Sequence, residues 1–298
     1  MENQELWKLF PISLKEKLNS LKEQWNHIQE IRLRVGMPVV VKLGNREWML
    51  DDAGTVTRED IRQFIESVSR HSLYAHEEEL RQGFFTVQGG HRIGIVGKVV
   101  VEQGTIKTMK YISSINIRMA HQIKGCADLV VPYVMYHGEM CSTLILSPPG
   151  CGKTTLLRDL VRLLSERGMN VGGVDERSEI AACYQGIAQN DLGPRTDILD
   201  CCPKGAGMMM LIRTMAPQIV AVDEIGGEED RKALETVMKC GCQILATVHA
   251  SSIEDIRQKP FFAELWKHRI FERYLVLKKG KMPGEICGIY DADGSRLK

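Results

Sequence analysis

The stretch Ser147-Pro148-Pro149-Gly150-Cys151-Gly152-Lys153-Thr154-Thr155 decides how this chain is read. An apolar run, Thr143-Leu144-Ile145-Leu146, precedes it. Leu156, Leu157, Leu160, Leu163 and Leu164 follow at helical spacing. Strand, Gly-rich loop and helix, in that order, form the setting of a phosphate-binding loop. Backbone N–H groups of such a loop and the positive end of its helix cradle phosphate oxygens. The expected nucleotide-binding residues are therefore Ser147, Gly150, Cys151, Gly152, Lys153, Thr154 and Thr155. Lys153 is expected to reach the β- and γ-phosphates of ATP, and the Thr154 hydroxyl to ligate Mg²⁺. Ser147 stands where the motif has its first Gly, so the loop's flexibility is assigned to Gly150 and Gly152. The bland alternative is an ordinary Gly/Pro turn. Gly-Lys-Thr-Thr at a helix start argues against it.

Further along, Ile219-Val220-Ala221-Val222-Asp223-Glu224 reads as a buried strand ending in two carboxylates. It comes about 70 residues after the loop, the arrangement of a Walker B strand lying beside the loop's strand. Asp223 is then the expected Mg²⁺ ligand and Glu224 the acid that polarises the attacking water. A second acidic strand end, Val174-Asp175-Glu176-Arg177-Ser178-Glu179, falls between the two. Alone it reads equally well as a solvated loop. Ala246-Thr247-Val248-His249-Ala250-Ser251 ends another strand, and His249 is suited to contacting an anion whether neutral or charged.

Composition narrows the class. The 298 residues suit two domains, and 44% are apolar, enough for a real core. The net charge is +1 and the pI near 7.6, with 6% aromatics and no basic run, so no nucleic-acid partner is expected. Met1 to Phe10 does not read as a signal peptide, and no apolar stretch is long enough to span a bilayer. Nine cysteines lack any Cys-x-x-Cys pair. They read as reduced thiols of a cytosolic protein, most of them small core hydrophobes.

The two halves differ in texture. From Met1 to about Ile123 the chain mixes elements. One helix is expected over 6–29, then strands from Ile28, Val39 and Glu47, then a helix over Glu59 to Ser69 and a short one over 77–82. Strands follow over 84–87, 92–101, 105–110 and 115–119. This predicts an α+β domain over 1–123. From 124 to 298, strands 143–146, 171–174, 219–222, 244–248 and 274–278 alternate with helices. That predicts a parallel-rich α/β sheet of the RecA-like P-loop type.

Taken together, the four segments 147–155, 174–179, 219–226 and 246–251 resemble the boxes of the type II and type IV secretion ATPases. These are Walker A, an acidic Asp box, Walker B and a His box. The resemblance implies that Glu179 is a water-orienting acid, Glu224 the Walker B glutamate and His249 the His-box histidine. Many secretion ATPases carry Gly-Glu where this chain has Asp223-Glu224, which implies more conventional Mg²⁺ ligation here. Asp175 to Ile180, Asp191 to Asp197, Met208 to Arg213, Phe84 to Gly97 and Ile115 to Arg118 resemble the stage III sporulation protein AA family over nearly the whole chain.

That resemblance implies a PAS-like N-terminal domain donating arginines to the phosphates, with Arg92 and Arg118 at the matching positions. Arg195 and Arg213 are further candidates. It also implies a Mg²⁺-dependent ATPase assembled as a homo-oligomer, by resemblance a hexamer. The motor would sit in the cytoplasm on the mother-cell side, peripheral to integral membrane proteins of the sporulation channel. The rival reading is a nucleic-acid motor of helicase or recombination type. A third is a nucleotide-binding switch that hydrolyses little. Met208, Met209, Met210 and Met215 read either as helix packing or as an adaptable interface.

Overall fold

Pro11 breaks the N-terminal helix. In the computed structural model, which describes residues 4–44, 46–69, 80–81, 83–102, 104–280 and 282–298, α-helices Gln4–Leu9 and Ile12–Lys17 are followed by a 3₁₀ stretch, Asn19–His27. Pro11 has no N–H to give the first helix, and its ring cannot continue that helix's ladder. Leu6, Leu14, Leu18, Leu21 and Trp25 are nevertheless buried. The apolar stripe expected over 6–29 is real, but the single helix is not.

These pieces cover a six-stranded sheet. Its strands are β1 (Ile28–Arg34), β2 (Val40–Leu43), β3 (Arg46–Met49), β4 (Phe84–Val87), β5 (His91–Glu102) and β6 (Thr105–Arg118). Their order is β3-β2-β1-β6-β5-β4, antiparallel throughout. The segments 105–110 and 115–119, expected as two strands, are one 14-residue strand. Helix Arg58–Val68 starts at a capping box: Asp60 N–H donates to Thr57 Oγ1 at 3.0 Å, and Thr57 N–H to Asp60 Oδ2 at 2.8 Å. Its stripe of Ile61, Phe64, Ile65 and Val68 is buried, and the Phe64 ring lies 4.8 Å from that of Phe10. The helix expected over 77–82 lies, apart from Leu80 and Arg81, outside the described residues.

The second sheet holds β9 (Thr143–Ser147), β10 (Val171–Asp175), β11 (Thr196–Asp200), β12 (Ile219–Val222), β13 (Gln243–His249), β14 (Arg273–Leu277) and β15 (Ile286–Asp291). A two-residue pair, β7 (Met135–Tyr136) with β8 (Glu139–Met140), precedes it. The order is β11-β10-β12-β13-β9-β14-β15, parallel except for β15. β9, β10, β12 and β13 are almost wholly buried and read in sequence as apolar runs. The edge strands β11 and β15 are partly exposed, and β11 mixes polar with apolar residues; neither was expected from the pattern.

One expectation is corrected. β12 does not lie beside β9, because β13 is inserted between them. The chain groups into two units. Met1–His121 with Ala182–Gln189 form one, and Gln122–Ala181 with Asn190–Lys298 the other. No described helix is long and apolar enough to cross a membrane. Of the nine cysteines only Cys141, Cys151, Cys183 and Cys242 are buried, so most are not core residues.

Phe64 is fully buried under the first sheet's helices. Phe64→Ala is expected to lower unfolding free energy by about 3–5 kcal/mol, read from urea denaturation followed by tryptophan fluorescence.

Candidate active site

Parallel strands end together, so their C-terminal residues meet at one edge. β9 delivers Ser147 there, β10 Asp175, β12 Asp223 and Glu224, and β13 His249. Ser147 belongs to the strand and is fully buried; its hydroxyl donates to Pro148 O at 2.8 Å. The loop then turns at Gly150 and at Gly152, with φ of +74° and +87°. Gly152 is also a close-packing position. A Cβ there would lie 2.4 Å from Gly284 N and 2.6 Å from Pro283 Cβ. Gly284 N–H in turn donates to Cys151 O at 2.8 Å. Helix Lys153–Glu166 begins at that point.

Lys153 is buried, and its Nζ lies 2.6 Å from Glu224 Oε1 and 3.6 Å from Asp223 Oδ1. The Lys153 ammonium holds the Glu224 carboxyl below the usual carboxylate range. His249 Nε2 pairs with the same Oε1, its Nδ1 faces Ser147 O at 3.3 Å, and Arg177 Nη1 lies 3.4 Å from Glu224 Oε2. The Thr154 hydroxyl donates to Asp223 Oδ2 at 3.1 Å. Thr247, two residues before the end of β13, donates its hydroxyl to Asp223 Oδ1 and accepts Glu224 N–H at 3.0 Å. Glu224 itself has φ +46°, a costly conformation for a residue with a Cβ.

Beside this cluster a cleft is lined by Asp175, Glu176, Arg177, Glu179, Lys204, Asp223 and Glu224. Lys204, at the start of helix Lys204–Met215, is ion-paired with Glu176. That helix approaches β10 closely at Gly207, where a Cβ would lie 2.6 Å from Val174 Cγ1. Asp175 is buried and accepts the N–H groups of Glu179, Ile180 and Ala181 at 2.8 to 2.9 Å. Burial nonetheless outweighs these donors and raises its pKa to about 6.

The structure thus brings together Lys153, Thr154, Asp223, Glu224 and His249, and places Glu179 on the same cleft. Arg92 and Arg118 lie in the first unit, directly opposite one another on β5 and β6; the Arg92 guanidinium sits 3.6 Å from the Phe84 ring centroid. Arg195 Nη1 lies 3.3 Å from Asn170 Oδ1, and Arg213 is exposed. Of the methionines, Met208 is buried while Met210 and Met215 are exposed. Sequence reasoning passed over Thr247, Arg177 and Arg158. The one available signal for Arg158 is a cation among the leucines of the loop's helix.

A chelating set of three or more acids, histidines or cysteines is absent among the described residues. The donors present, one hydroxyl and one or two carboxylates, suit Mg²⁺, which keeps waters and takes most other ligands from phosphates.

The fold recurs in solved structures. The X-ray structure of the Legionella pneumophila ATPase DotB matches with a TM-score of 0.58, over 90% of this chain and 76% of its own, at 14% identity. The pilus retraction motor PilT, crystallised with bound ADP, matches at 0.61 over 87% and 77%, at 16% identity. The chain shares the α/β fold of these two structures. More narrowly, the family model described as Sporulation stage III, protein AA matches residues 1–297. Stage III sporulation protein AA of Bacillus subtilis (strain 168) is 43% identical over 98% of this chain and 96% of its own length. This chain belongs to that family.

Asp175 gives a pH prediction. Between its ordinary value of 3.8 and about 6 the folded protein holds a proton that the unfolded chain has released. Its contribution to stability is complete below that window and is lost as pH rises through it. Asp175→Asn cannot titrate. Its denaturation midpoint should therefore rise relative to the parent's between pH 4 and pH 6, about the limits of that window. Parallel midpoint curves would refute the assignment.

Proposed function

We propose that this protein is a Mg²⁺-dependent ATPase of the secretion type, a motor working as a ring of its own copies. It would act at the mother-cell side of a membrane channel complex during endospore formation, through integral membrane partners. One observation carries the reading: Lys153, Thr154, Asp223, Glu224 and His249 converge at the end of the parallel sheet, directly after a phosphate-loop turn. Family membership and the fold support it.

In this reading the loop residues 147–155 hold ATP. Lys153 binds its terminal phosphates, and Thr154 with Asp223 would hold Mg²⁺. The metal supplies charge neutralisation on the phosphate oxygens. Glu224 polarises the attacking water and Glu179 helps orient it. His249, already paired with Glu224, responds to the γ-phosphate. No covalent intermediate is needed, since positioning and charge stabilisation suffice. Arg92 and Arg118 are assigned to the phosphates as charge-stabilising groups. Neutral overall charge and few aromatics favour a protein partner over nucleic acid.

Steady-state ATPase assays on the full chain test this. Glu224→Gln is expected to keep ATP bound while lowering kcat by about 10²–10⁴. Lys153→Ala should lose nucleotide binding, and chelation of Mg²⁺ should stop turnover. Strong stimulation by single-stranded nucleic acid would point to the helicase type instead. Negligible turnover in every condition would point to a binding switch. Size measurement with ATP and Mg²⁺ should show a ring-sized species.

A further inference from the structure

The turn that carries Glu179 is gripped from two directions. From below, Asp175 accepts three successive N–H groups: Glu179 to Oδ1 at 2.8 Å, Ile180 to Oδ2 at 2.9 Å and Ala181 to Oδ2 at 2.8 Å. From the side, Arg158 donates Nη2 to Glu179 O at 2.8 Å and Nε to Ile180 O at 2.9 Å. Asn190 adds Nδ2 to Ile180 O at 2.9 Å and its own N–H to Ala181 O at 3.1 Å. Each of the three residues therefore has both its N–H and its C=O held.

Arg158 stands five residues beyond Lys153 on the same helix. Arg158 is half-buried; this desolvation pushes its pKa down, while the charges of Asp175 and Asp223 oppose that. Desolvating a cation for two neutral carbonyls is a poor way to gain stability. Water satisfies turn carbonyls at no such cost. What the guanidinium does provide is geometry, since its planar fork spans two carbonyls at once.

We infer that Arg158 and Asp175 are positioning residues. Together they fix the backbone of Glu179–Ala181 against the helix that carries Lys153 and Thr154, and so set where the Glu179 carboxylate stands. The inference rests on the role proposed for Glu179. A lysine at 158 would keep the charge but offers a single point donor, so it cannot hold both carbonyls in one plane.

The test uses the full chain with Mg²⁺ and ATP. Arg158→Lys is expected to leave the equilibrium Kd for a fluorescent ATP analogue within about twofold while lowering kcat by about 100-fold, the size of loss that misplacement by an ångström produces. Asn190→Ala should lower kcat less, again with Kd unchanged. Because Arg158 acts through Glu179, the double variant Arg158→Lys/Glu179→Gln should be no slower than Glu179→Gln alone. Parental kcat in Arg158→Lys overturns the inference, and so does a loss that multiplies onto that of Glu179→Gln. If Arg158→Lys fails to fold, parental kcat in a folded Asn190→Ala overturns it. Parental kcat in Glu179→Gln removes its basis while leaving Lys153 and Glu224 in place. A parent protein without turnover instead defeats the ATPase reading itself.

Discussion

The Lys153 ammonium, 2.6 Å from Glu224 and largely out of water, is the interaction on which the site depends. Burying such a pair costs desolvation that the mutual attraction only partly offsets, so it is a weak source of stability. Its value lies in what it fixes. Glu224 is the meeting point of Lys153, His249 and Arg177, each from a different segment. It occupies that point with a left-handed backbone, and its N–H is satisfied by Asp223 Oδ1 and Thr247 Oγ1, each at 3.0 Å. Thr247 reaches it because β13 lies next to β12. The sheet order is therefore part of the chemistry. Were β12 beside β9, neither Thr247 nor His249 would stand between the acids and the loop.

That order explains what could and could not be read from the chain. β9, β10, β12 and β13 are buried on both faces, so each is dominated by apolar or small residues, with its candidate site residues at the end. The loop, Asp223, Glu224 and His249 were legible for this reason. Strand adjacency is a non-local property: nothing in Ile219–Val222 or Gln243–His249 says which neighbours β9. Thr247 was hidden by the same fact, being an ordinary strand threonine until its neighbour is known. Edge strand β11 escaped because a partly exposed strand alternates polar with apolar residues. The N-terminal helix failed at its start for a local reason, since the spacing of Leu6, Leu14 and Leu18 fits a helix while Pro11 separates Gln4–Leu9 from Ile12–Lys17.

Several groups at this edge are held against their own preference. Asp175 is buried at a cost that three N–H donors do not cancel, Arg158 is partly desolvated with carbonyls as its direct hydrogen-bond partners, and Glu224 is conformationally strained. Elsewhere the same unit is conventional, with β12 wholly apolar and Leu156, Leu157, Leu160 and Leu164 fully buried on the loop's helix. Local conflicts confined to one edge of a well-packed sheet are the pattern expected where function, rather than folding, chose the residues.

The phosphate loop follows from the same packing. Its two glycines serve different ends. Gly150 has open space around it and a positive φ, so it supplies a turn. Gly152 also has a positive φ, but what excludes a side chain there is the backbone of Pro283–Gly284 pressed against it. The loop is thus anchored from the β14–β15 connection, through Gly284 N–H to Cys151 O, in addition to its own helix. A loop pinned on both sides needs less freedom at its first position than the sequence motif suggests. Ser147 can replace Gly there because it is the last residue of β9, paired in register with His249, and not part of the turn at all.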